Sequence, residues 1–234
     1  MSSTEYWKLI HSITPSERLQ AMSEAKLQVL EKIITSLDIK PEKILFAGFN
    51  PLVLGLESRY QCQVIADPEI GKAWGSDSLF TLDLDQLDTD ADICFALDEY
   101  FTYADSEIQQ RQLLEDINSI FHGYLVTTLQ DYKNAAPHRR NSVESMGFDQ
   151  DQIMLEHYQI DKINRQNWQS RVMMITDFQD LEVVGPMQRR TMYFKQLAKY
   201  TSDLGGQDYM VQKNLLYKGY YKKYYEHIIS VKFQ

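Results

Sequence analysis

Lys43-Ile-Leu-Phe-Ala-Gly-Phe-Asn-Pro51 is the stretch that decides the fold of this chain, and Cys62-Gln-Val-Ile-Ala-Asp-Pro68 follows it closely. The first segment is an apolar run that ends in a glycine turn, and a helix is expected to begin at Pro51. The second segment is an apolar run that ends on an acid, Asp67. A strand, a glycine turn, a helix and a second strand ending on an acid form the start of a nucleotide-binding βαβ unit. These segments therefore predict a nucleotide site in which Asp67 is placed to hold a ribose.

Apolar runs and amphipathic stretches alternate through the first half of the chain. Such alternation predicts an α/β, Rossmann-like architecture: a mostly parallel sheet with helices on both faces. We expect strands at 43–47, 62–66, 79–82, 91–97 and 124–129, and helices at 15–37, from 51 towards 60, at 68–74 and from a cap at Asp105 or Ser106.

The second half of the chain has a different pattern. Ile153–Ile160 and Trp168–Thr176 are apolar runs joined by a short polar segment, and they predict a late antiparallel hairpin at the edge of the sheet. Ser142–Met146 is predicted as a short helix. The remaining predictions are a helix after Gly185-Pro186 that stops at Gly205-Gly206, a helix at Tyr209–Tyr217 and a strand at His227–Phe233.

Composition divides the chain into three parts. The 234 residues suit one α/β domain with extensions. We expect an N-terminal helical lead over 1–40, a Rossmann-like domain over 41–180 and a C-terminal extension over 181–234 packed on that domain. Residues 186–234 carry a net charge of +6 within a chain of net charge −9, and they hold eight of the fifteen tyrosines.

Several classes of protein do not fit the sequence. No segment approaches the roughly 18 consecutive apolar residues of a transmembrane helix, and the N-terminus lacks the pattern of a secretory signal. Cys62 and Cys94 lie in apolar runs, so we expect buried, reduced thiols in a cytoplasmic protein. The five histidines show no metal-binding spacing, and no metal site is expected. The acids at 83, 85, 88, 90 and 92 lack the glycine and closing glutamate of a calcium loop, which favours a solvated loop.

The order of five β/α units, the Gly147-Phe148 pair and the late hairpin resemble the class I S-adenosylmethionine-dependent methyltransferases. The resemblance covers roughly residues 41–178 and rests on order and spacing more than on motifs. In that family an acid and several glycines surround the first turn. Here Phe46 and Ala47 stand where the acid is expected, and Gly48 is the one glycine near the turn, so the glycine loop is degenerate.

The resemblance implies which residues of this chain would bind the cofactor. Gly48 and Asn50 would approach the methionine end of S-adenosylmethionine, Asp67 would bind the ribose, and Asp83 (or Asp85) with Leu84 would lie on the adenine side. A plainer interpretation stays open for each position. A glycine followed by a proline is also an ordinary strand-to-helix turn, and an acid before Pro68 is also a routine helix cap.

Candidate catalytic residues follow the fourth strand. Asp98, Glu99 and Tyr100, with Tyr103, lie where the resemblance places groups that position the acceptor, although they could instead cap the following turn. Ligands bind outside the carboxyl ends of the strands in open α/β sheets. His138-Arg139-Arg140 follows the fifth strand and could hold an anionic substrate, or could be a solvated loop.

The sequence thus leaves two main functions open. One is methyl transfer from S-adenosylmethionine to an unknown acceptor, and the other is an inactive methyltransferase-like fold that serves as a binding or structural protein. A nicotinamide-dependent oxidoreductase fits less well because G-x-G-x-x-G is missing. Lys218–Tyr225 combines cations with aromatic rings, which suits contact with nucleic acid, with a protein partner or with the chain's own acidic body. The runs Lys195–Tyr200 and Lys213–Lys218 also resemble uncharacterised bacteriophage proteins, which leaves a phage origin open.

Overall fold

The structure is a computed structural model that describes residues 5, 7, 8, 11, 16–37, 39–88, 90–98, 100–130, 141–148, 152–160, 166–177, 180–218 and 225–233. These residues form strands in two sheets and helices on both faces of the larger one. The strands are β1 (Lys43–Ala47), β2 (Gln61–Ile65), β3 (Leu79–Thr81), β4 (Ile93–Ala96), β5 (Tyr124–Gln130), β6 (Asn141–Phe148), β7 (Gln152–Ile160), β8 (Asn167–Thr176), β9 (Asp180–Arg190), β10 (Gln207–Lys218) and β11 (Tyr225–Lys232).

The larger sheet has seven strands in the order β10-β11-β5-β4-β1-β2-β3. The strands β1 to β5 are parallel, whereas β11 pairs antiparallel with β5 and with β10. Neighbouring residues of β1 enter different cores: Ile44 and Phe46 pack into one apolar cluster, and Leu45 and Ala47 into another. A strand buried on both faces is apolar throughout, as this one is. The predicted α/β class, with a mostly parallel sheet, helices on both faces and a late antiparallel hairpin, is therefore confirmed.

The helices are α1 (Ser16–Ser36), α2 (Val53–Leu56), α3 (Pro68–Trp74), α4 (Glu107–Ile120) and α5 (Phe194–Asp203), with 3₁₀-helices at Leu84–Gln86 and Tyr100–Tyr103. Side-chain caps explain where two of them begin. The Asp67 carboxylate accepts a hydrogen bond from the Glu69 N–H at α3, and Ser106 Oγ accepts one from the Gln109 N–H at α4. Gly75 then ends α3 in a left-handed conformation, with φ of +65°. The helices predicted at 68–74 and after Ser106 are confirmed.

The smaller sheet corrects three predictions. It is a four-stranded antiparallel sheet in the order β6-β7-β8-β9. The hairpin predicted from Ile153–Ile160 and Trp168–Thr176 does form, but it lies in this separate sheet, and the hairpin that joins the parallel sheet is β10–β11. Ser142–Met146 lies in β6 rather than in a helix, because the segment pairs with β7. The chain after Gly185-Pro186 continues as β9 to Arg190, so the helix begins only at Phe194.

The predicted helix at Tyr209–Tyr217 is also wrong, because the segment lies in strand β10 and pairs with β11. The strand predicted at His227–Phe233 is confirmed by β11, and the helix stop at Gly205-Gly206 by the end of α5. The division into parts at residues 40 and 180 stays a prediction. Residues 207–232 nonetheless supply two of the seven strands of the larger sheet.

The acid-rich segment between β3 and β4 forms local ion pairs and caps. Lys43 Nζ lies 3.0 Å from Asp88 Oδ2 and 2.6 Å from Asp90 Oδ1, and Asp92 Oδ2 accepts hydrogen bonds from the Glu42 and Lys43 N–H groups. Within the described residues, no group of three or more histidine, cysteine or carboxylate side chains is arranged to hold a metal ion. The same part of the chain contains no helix that is long and apolar enough to cross a membrane. Cys62 and Cys94 are buried free thiols, and burial raises the pKa of each.

Candidate functional site

The candidate site lies where the order of the parallel strands reverses. From β1 the chain moves outward to β2 and β3 on one side, and then crosses to β4 and β5 on the other. In open α/β sheets the loops on either side of such a point diverge and ligands bind outside the carboxyl ends of the strands, and we call this place the crevice. Gly48 and Asn50 follow β1 and Asp98 follows β4, so the structure brings these predicted site residues to the same crevice. Asp67 and Asp83 follow β2 and β3 at the same edge.

A hydrogen bond joins the two sides of the crevice. Asn50 Nδ2 donates to Asp98 Oδ2 at 2.7 Å, and Asn50 Oδ1 accepts from the Leu52 N–H at 3.1 Å. The Asn50 side chain is held at both ends and is 3% exposed. Gly48 has a φ of +78°, a conformation that glycine adopts without strain. The turn after β1 is therefore held in place by the Asn50 side chain and by Asp98, which follows β4.

Asp98 combines backbone strain with an unsatisfied oxygen. Its φ is +54°, which is uncommon for a residue other than glycine. Its Oδ1 atom is buried and has no hydrogen-bond partner among the described residues, although Oδ2 is bound to Asn50. Buried carboxylate oxygens without a donor are rare because the lost hydration is costly. Asp98 therefore presents an unsatisfied carboxylate oxygen and an uncommon backbone conformation beside the β1 turn.

Tyr100 packs against the β1 turn. If Gly48 carried a Cβ atom, that atom would lie 2.9 Å from Cδ2 and Cε2 of the Tyr100 ring, so the ring rests directly on the glycine. Burial is the main cause that raises the pKa of the Tyr100 phenol well above its usual range. The phenol is therefore protonated at alkaline pH as well as at neutral pH, where any tyrosine can donate a hydrogen bond. Glu99 lies outside the described residues, as does His138-Arg139-Arg140.

The predicted ribose and adenine residues act as helix caps. Asp67 Oδ1 accepts from the Glu69 N–H at 2.9 Å. Asp83 caps the Leu84–Gln86 3₁₀-helix, with Oδ1 accepting from the Asp85 N–H at 3.2 Å, and Leu84 is half-buried against the core. A carboxylate accepts up to about four hydrogen bonds, so capping a helix does not prevent it from binding a ligand hydroxyl. Both interpretations of these acids are therefore compatible with the geometry.

An aromatic cluster beside the crevice was not anticipated from the sequence. Trp7 packs against Phe49, with ring centroids 5.0 Å apart, and against Trp74 at 6.2 Å. The Trp74 Nε1–H donates to the Trp7 carbonyl at 3.2 Å. Lys8 Nζ lies 3.5 Å from Glu69 Oε2, two residues from Asp67. The N-terminal segment thus lies over the β1 turn and the start of α3. Phe49 lies in the β1 turn, but nothing in its sequence context indicates that Trp7 and Trp74 pack against it.

A second unanticipated contact joins the smaller sheet to the crevice. Arg189, at the end of β9, is 3% exposed, and its guanidinium carbon lies 3.6 Å from the ring centroid of Tyr103. The same carbon lies 5.2 Å from the ring centroid of Trp168. No sequence pattern pairs Arg189 with the segment after β4, because the two lie far apart along the chain.

Comparison with known proteins identifies the architecture. No protein-family model matches the sequence, and no curated protein matches it at a significant level. Solved structures do match. The CcbJ methyltransferase from Streptomyces caelestis superimposes with a TM-score of 0.68, 10% identity and coverage of 96% of this chain and 94% of that one. The chain has the class I methyltransferase fold. At this identity the likeness defines the fold alone.

Two further matches show the same methyltransferase fold. An S-adenosylmethionine-dependent methyltransferase from Clostridium acetobutylicum superimposes with a TM-score of 0.66 and 10% identity over 97% of this chain and 96% of that one. CalS10 from Micromonospora echinaspora, an amino pentose methyltransferase with bound S-adenosylmethionine, superimposes with a TM-score of 0.60 and 8% identity. The match covers 88% of this chain and 89% of that one. The CcbJ and Clostridium matches span nearly the whole chain, so in these two the likeness extends beyond the parallel sheet to the smaller sheet and the β10–β11 hairpin.

Proposed function

We propose that this protein is an S-adenosylmethionine-dependent methyltransferase that acts on an unidentified acceptor. The observation that carries the proposal is the Asn50–Asp98 hydrogen bond across the crevice, together with the buried Oδ1 of Asp98. The fold is shared with methyltransferases, but a fold alone does not determine an activity. An acid in a strained conformation at the point where the strand order reverses is a feature of this chain itself.

The residues of the crevice fit the chemical groups of the cofactor. S-adenosylmethionine carries a positively charged ammonium and a positively charged sulfonium, and Asp98 Oδ1 is an anionic acceptor in need of a partner. Gly48 lacks a Cβ atom and allows close approach to the backbone of the β1 turn. Asp67 would accept hydrogen bonds from the ribose hydroxyls, and Asp83 with Leu84 would contact the adenine side.

When bound, the cofactor supplies an electrophilic methyl group, and the protein's contribution is mainly to align it with the acceptor. Asp98 would hold positive charge at the reacting end. Tyr100 would orient the acceptor by donating a hydrogen bond from its phenol, which is protonated at neutral pH. A general base is needed only for an acceptor that must lose a proton, and Glu99 is the candidate for that role.

A second function is favoured by a different observation. The Tyr100 ring lies against Gly48, where the methionine end of the cofactor is expected, and the glycine loop is reduced to one residue. In this alternative the fold no longer binds the cofactor and serves as a binding or structural protein. The Tyr/Lys-rich segment Lys218–Tyr225 would then contact a protein or a nucleic acid. Residues 219–224 of that segment lie outside the described residues.

Calorimetric titration with S-adenosylmethionine and S-adenosylhomocysteine separates the two functions. We expect micromolar binding to the wild type, and a loss of about 1.5–3 kcal/mol in Asp98→Asn, the range for a hydrogen bond to a charged group. Asp177→Asn is the matched control, because Asp177 also has a left-handed φ, of +52°, but is exposed on the turn after β8. If the wild type gives neither heat nor thermal stabilisation at millimolar ligand, the methyltransferase proposal is wrong and the alternative stands.

A further inference from the structure

We propose that Arg189 is a positioning residue through which the four-stranded sheet holds the segment from Asp98 to Tyr103 in its working geometry. The effect on cofactor binding rests on the function proposed above. The mechanical link between the four-stranded sheet and the crevice does not depend on that function, so it can be tested in the protein without ligand.

The first link in this coupling is the stack of Arg189 on Tyr103. The guanidinium carbon lies 3.6 Å from the centroid of the Tyr103 ring, well inside the distance at which a cation interacts with an aromatic face. Trp168 lies on β8 directly opposite Arg189 in the sheet register, with its ring centroid 5.2 Å from the same carbon. Two rings contact one planar cation at a site that is 3% exposed. Such contacts are strongest where water is excluded.

A hydrogen-bonded glutamine provides a second, independent link. Gln110 on α4 is fully buried, and its Nε2 donates to the Phe101 carbonyl at 3.2 Å and to the Arg190 carbonyl at 2.9 Å. One amide group therefore joins the 3₁₀-helix after β4 to the end of β9. Arg190 is held in turn by Asn167 and Gln166, through Nη1 at 2.8 Å and Nη2 at 2.7 Å. The end of β9 is thus a fixed support.

The third link runs from the 3₁₀-helix to the cofactor turn. Tyr100 and Tyr103 are the first and last residues of the same 3₁₀-helix, so a force on Tyr103 is transmitted over a single turn. Tyr100 rests on Gly48, and Asp98, just before the helix, is bonded to Asn50. Any ligand that shifts the four-stranded sheet would consequently alter the β1 turn, and the reverse also holds because such coupling is reciprocal.

Arginine suits this role better than lysine. Its planar guanidinium stacks on an aromatic ring, whereas an ammonium is a compact and strongly hydrated charge. The decisive comparison is therefore Arg189→Lys, which keeps the charge, against Arg189→Met, which removes it. Arg171→Met is the matched control, since Arg171 lies on β8 of the same sheet but is exposed.

Amide hydrogen exchange in the ligand-free protein tests the link directly. The Leu52 N–H is bonded to Asn50 Oδ1 and the Val53 N–H to the Asn50 carbonyl, so both amides report on the β1 turn. We expect Arg189→Met to speed exchange at these amides about tenfold, with a smaller effect for Arg189→Lys and none for Arg171→Met. Unchanged exchange at Leu52 and Val53 in a folded Arg189→Met protein would overturn the inference.

Tyr103→Leu is the second variant, to be used if Arg189→Met fails to fold, because it removes the ring on which Arg189 stacks. Tyr103 is 42% exposed, so its ring can be removed without leaving a sealed cavity. It should reproduce the faster exchange at Leu52 and Val53, and a normal pattern there would also overturn the inference. Titration with S-adenosylhomocysteine then measures the functional consequence. We expect Arg189→Met to bind it about tenfold more weakly than the wild type, and Arg171→Met to bind it with unchanged affinity. If the wild type does not bind the cofactor, the proposed function is wrong, and the exchange data still show whether the mechanical link exists.

Discussion

Replacing Gly48 by alanine tests the geometry of the candidate site at its most crowded point. Gly48 has a φ of +78°, and its added Cβ would lie 2.9 Å from two carbons of the Tyr100 ring. Gly75 offers a matched comparison, since its φ is +65° and a Cβ added there would meet no atom within 4 Å. Alanine at Gly75 therefore brings only the backbone penalty, whereas alanine at Gly48 also brings a collision.

The structure gives a different magnitude for each substitution. The left-handed conformation costs an alanine about 1–2 kcal/mol, which applies to both positions. Displacing a packed ring by one methyl group adds about 1–3 kcal/mol at Gly48 alone. For a protein of this size each kcal/mol lowers the melting temperature by about 2–4 °C. Gly48→Ala should therefore melt several degrees below Gly75→Ala.

Thermal unfolding and cofactor titration together measure the effect. Gly75→Ala should bind S-adenosylhomocysteine like the wild type, and Gly48→Ala should bind it more weakly because both Tyr100 and the turn must move. The double variant Gly48→Ala with Tyr100→Ala removes the collision between the new methyl group and the ring. It should recover the part of the lost affinity for S-adenosylhomocysteine that the collision causes. Equal melting temperatures for the two single variants would refute the packing of Tyr100 on Gly48.

Two further predictions concern Asp67 and Cys62. Asp67→Ala should weaken cofactor binding by about 1–3 kcal/mol, measured by calorimetry, and equal affinities of Asp67→Ala and the wild type would exclude a ribose contact. Burial raises the pKa of Cys62 from 9.0 to about 12. Between these values the unfolded chain binds fewer protons than the folded protein, so the free energy of unfolding should fall as pH rises from about 9 to 12. Urea denaturation should show a shallower decline in Cys62→Ala, and identical slopes would contradict the assignment.

The parallel half of the fold could be predicted because its signals are local. The apolar run Lys43–Ala47 is buried on both faces, and the acid before Pro68 does cap a helix, so sequence and structure agree. The same logic places the predicted site residues together, since the carboxyl ends of parallel strands share one edge of a sheet, and their role in binding stays a prediction. Asn50 and Asp98 were named separately from the sequence, but their hydrogen bond joins residues 48 positions apart.

The remaining features depend on contacts that a single segment does not encode. Tyr209–Tyr217 has two apolar pairs, Met210-Val211 and Leu215-Leu216, separated by three polar residues, a pattern compatible with a helix, and pairing with β11 decides for a strand. The four-stranded sheet was missed for the same reason, because Ser142–Met146 becomes a strand only beside β7. Arg189 at the end of β9 stacks on Tyr103 in the 3₁₀-helix after β4, and no spacing rule predicts such a contact.

The pairing of β11 with β5 has a consequence for how the chain folds. Glu226 lies opposite Gln130, 96 positions earlier, and the four-stranded sheet, α5 and β10 are all made in between. During synthesis β5 therefore remains an open edge until the ribosome has passed residue 232, and exposed edges of this kind attract strands from other chains. A premature stop within β11 would expose the backbone of β5 next to the apolar core. Such truncated chains should aggregate even though every residue of the candidate site has already been made.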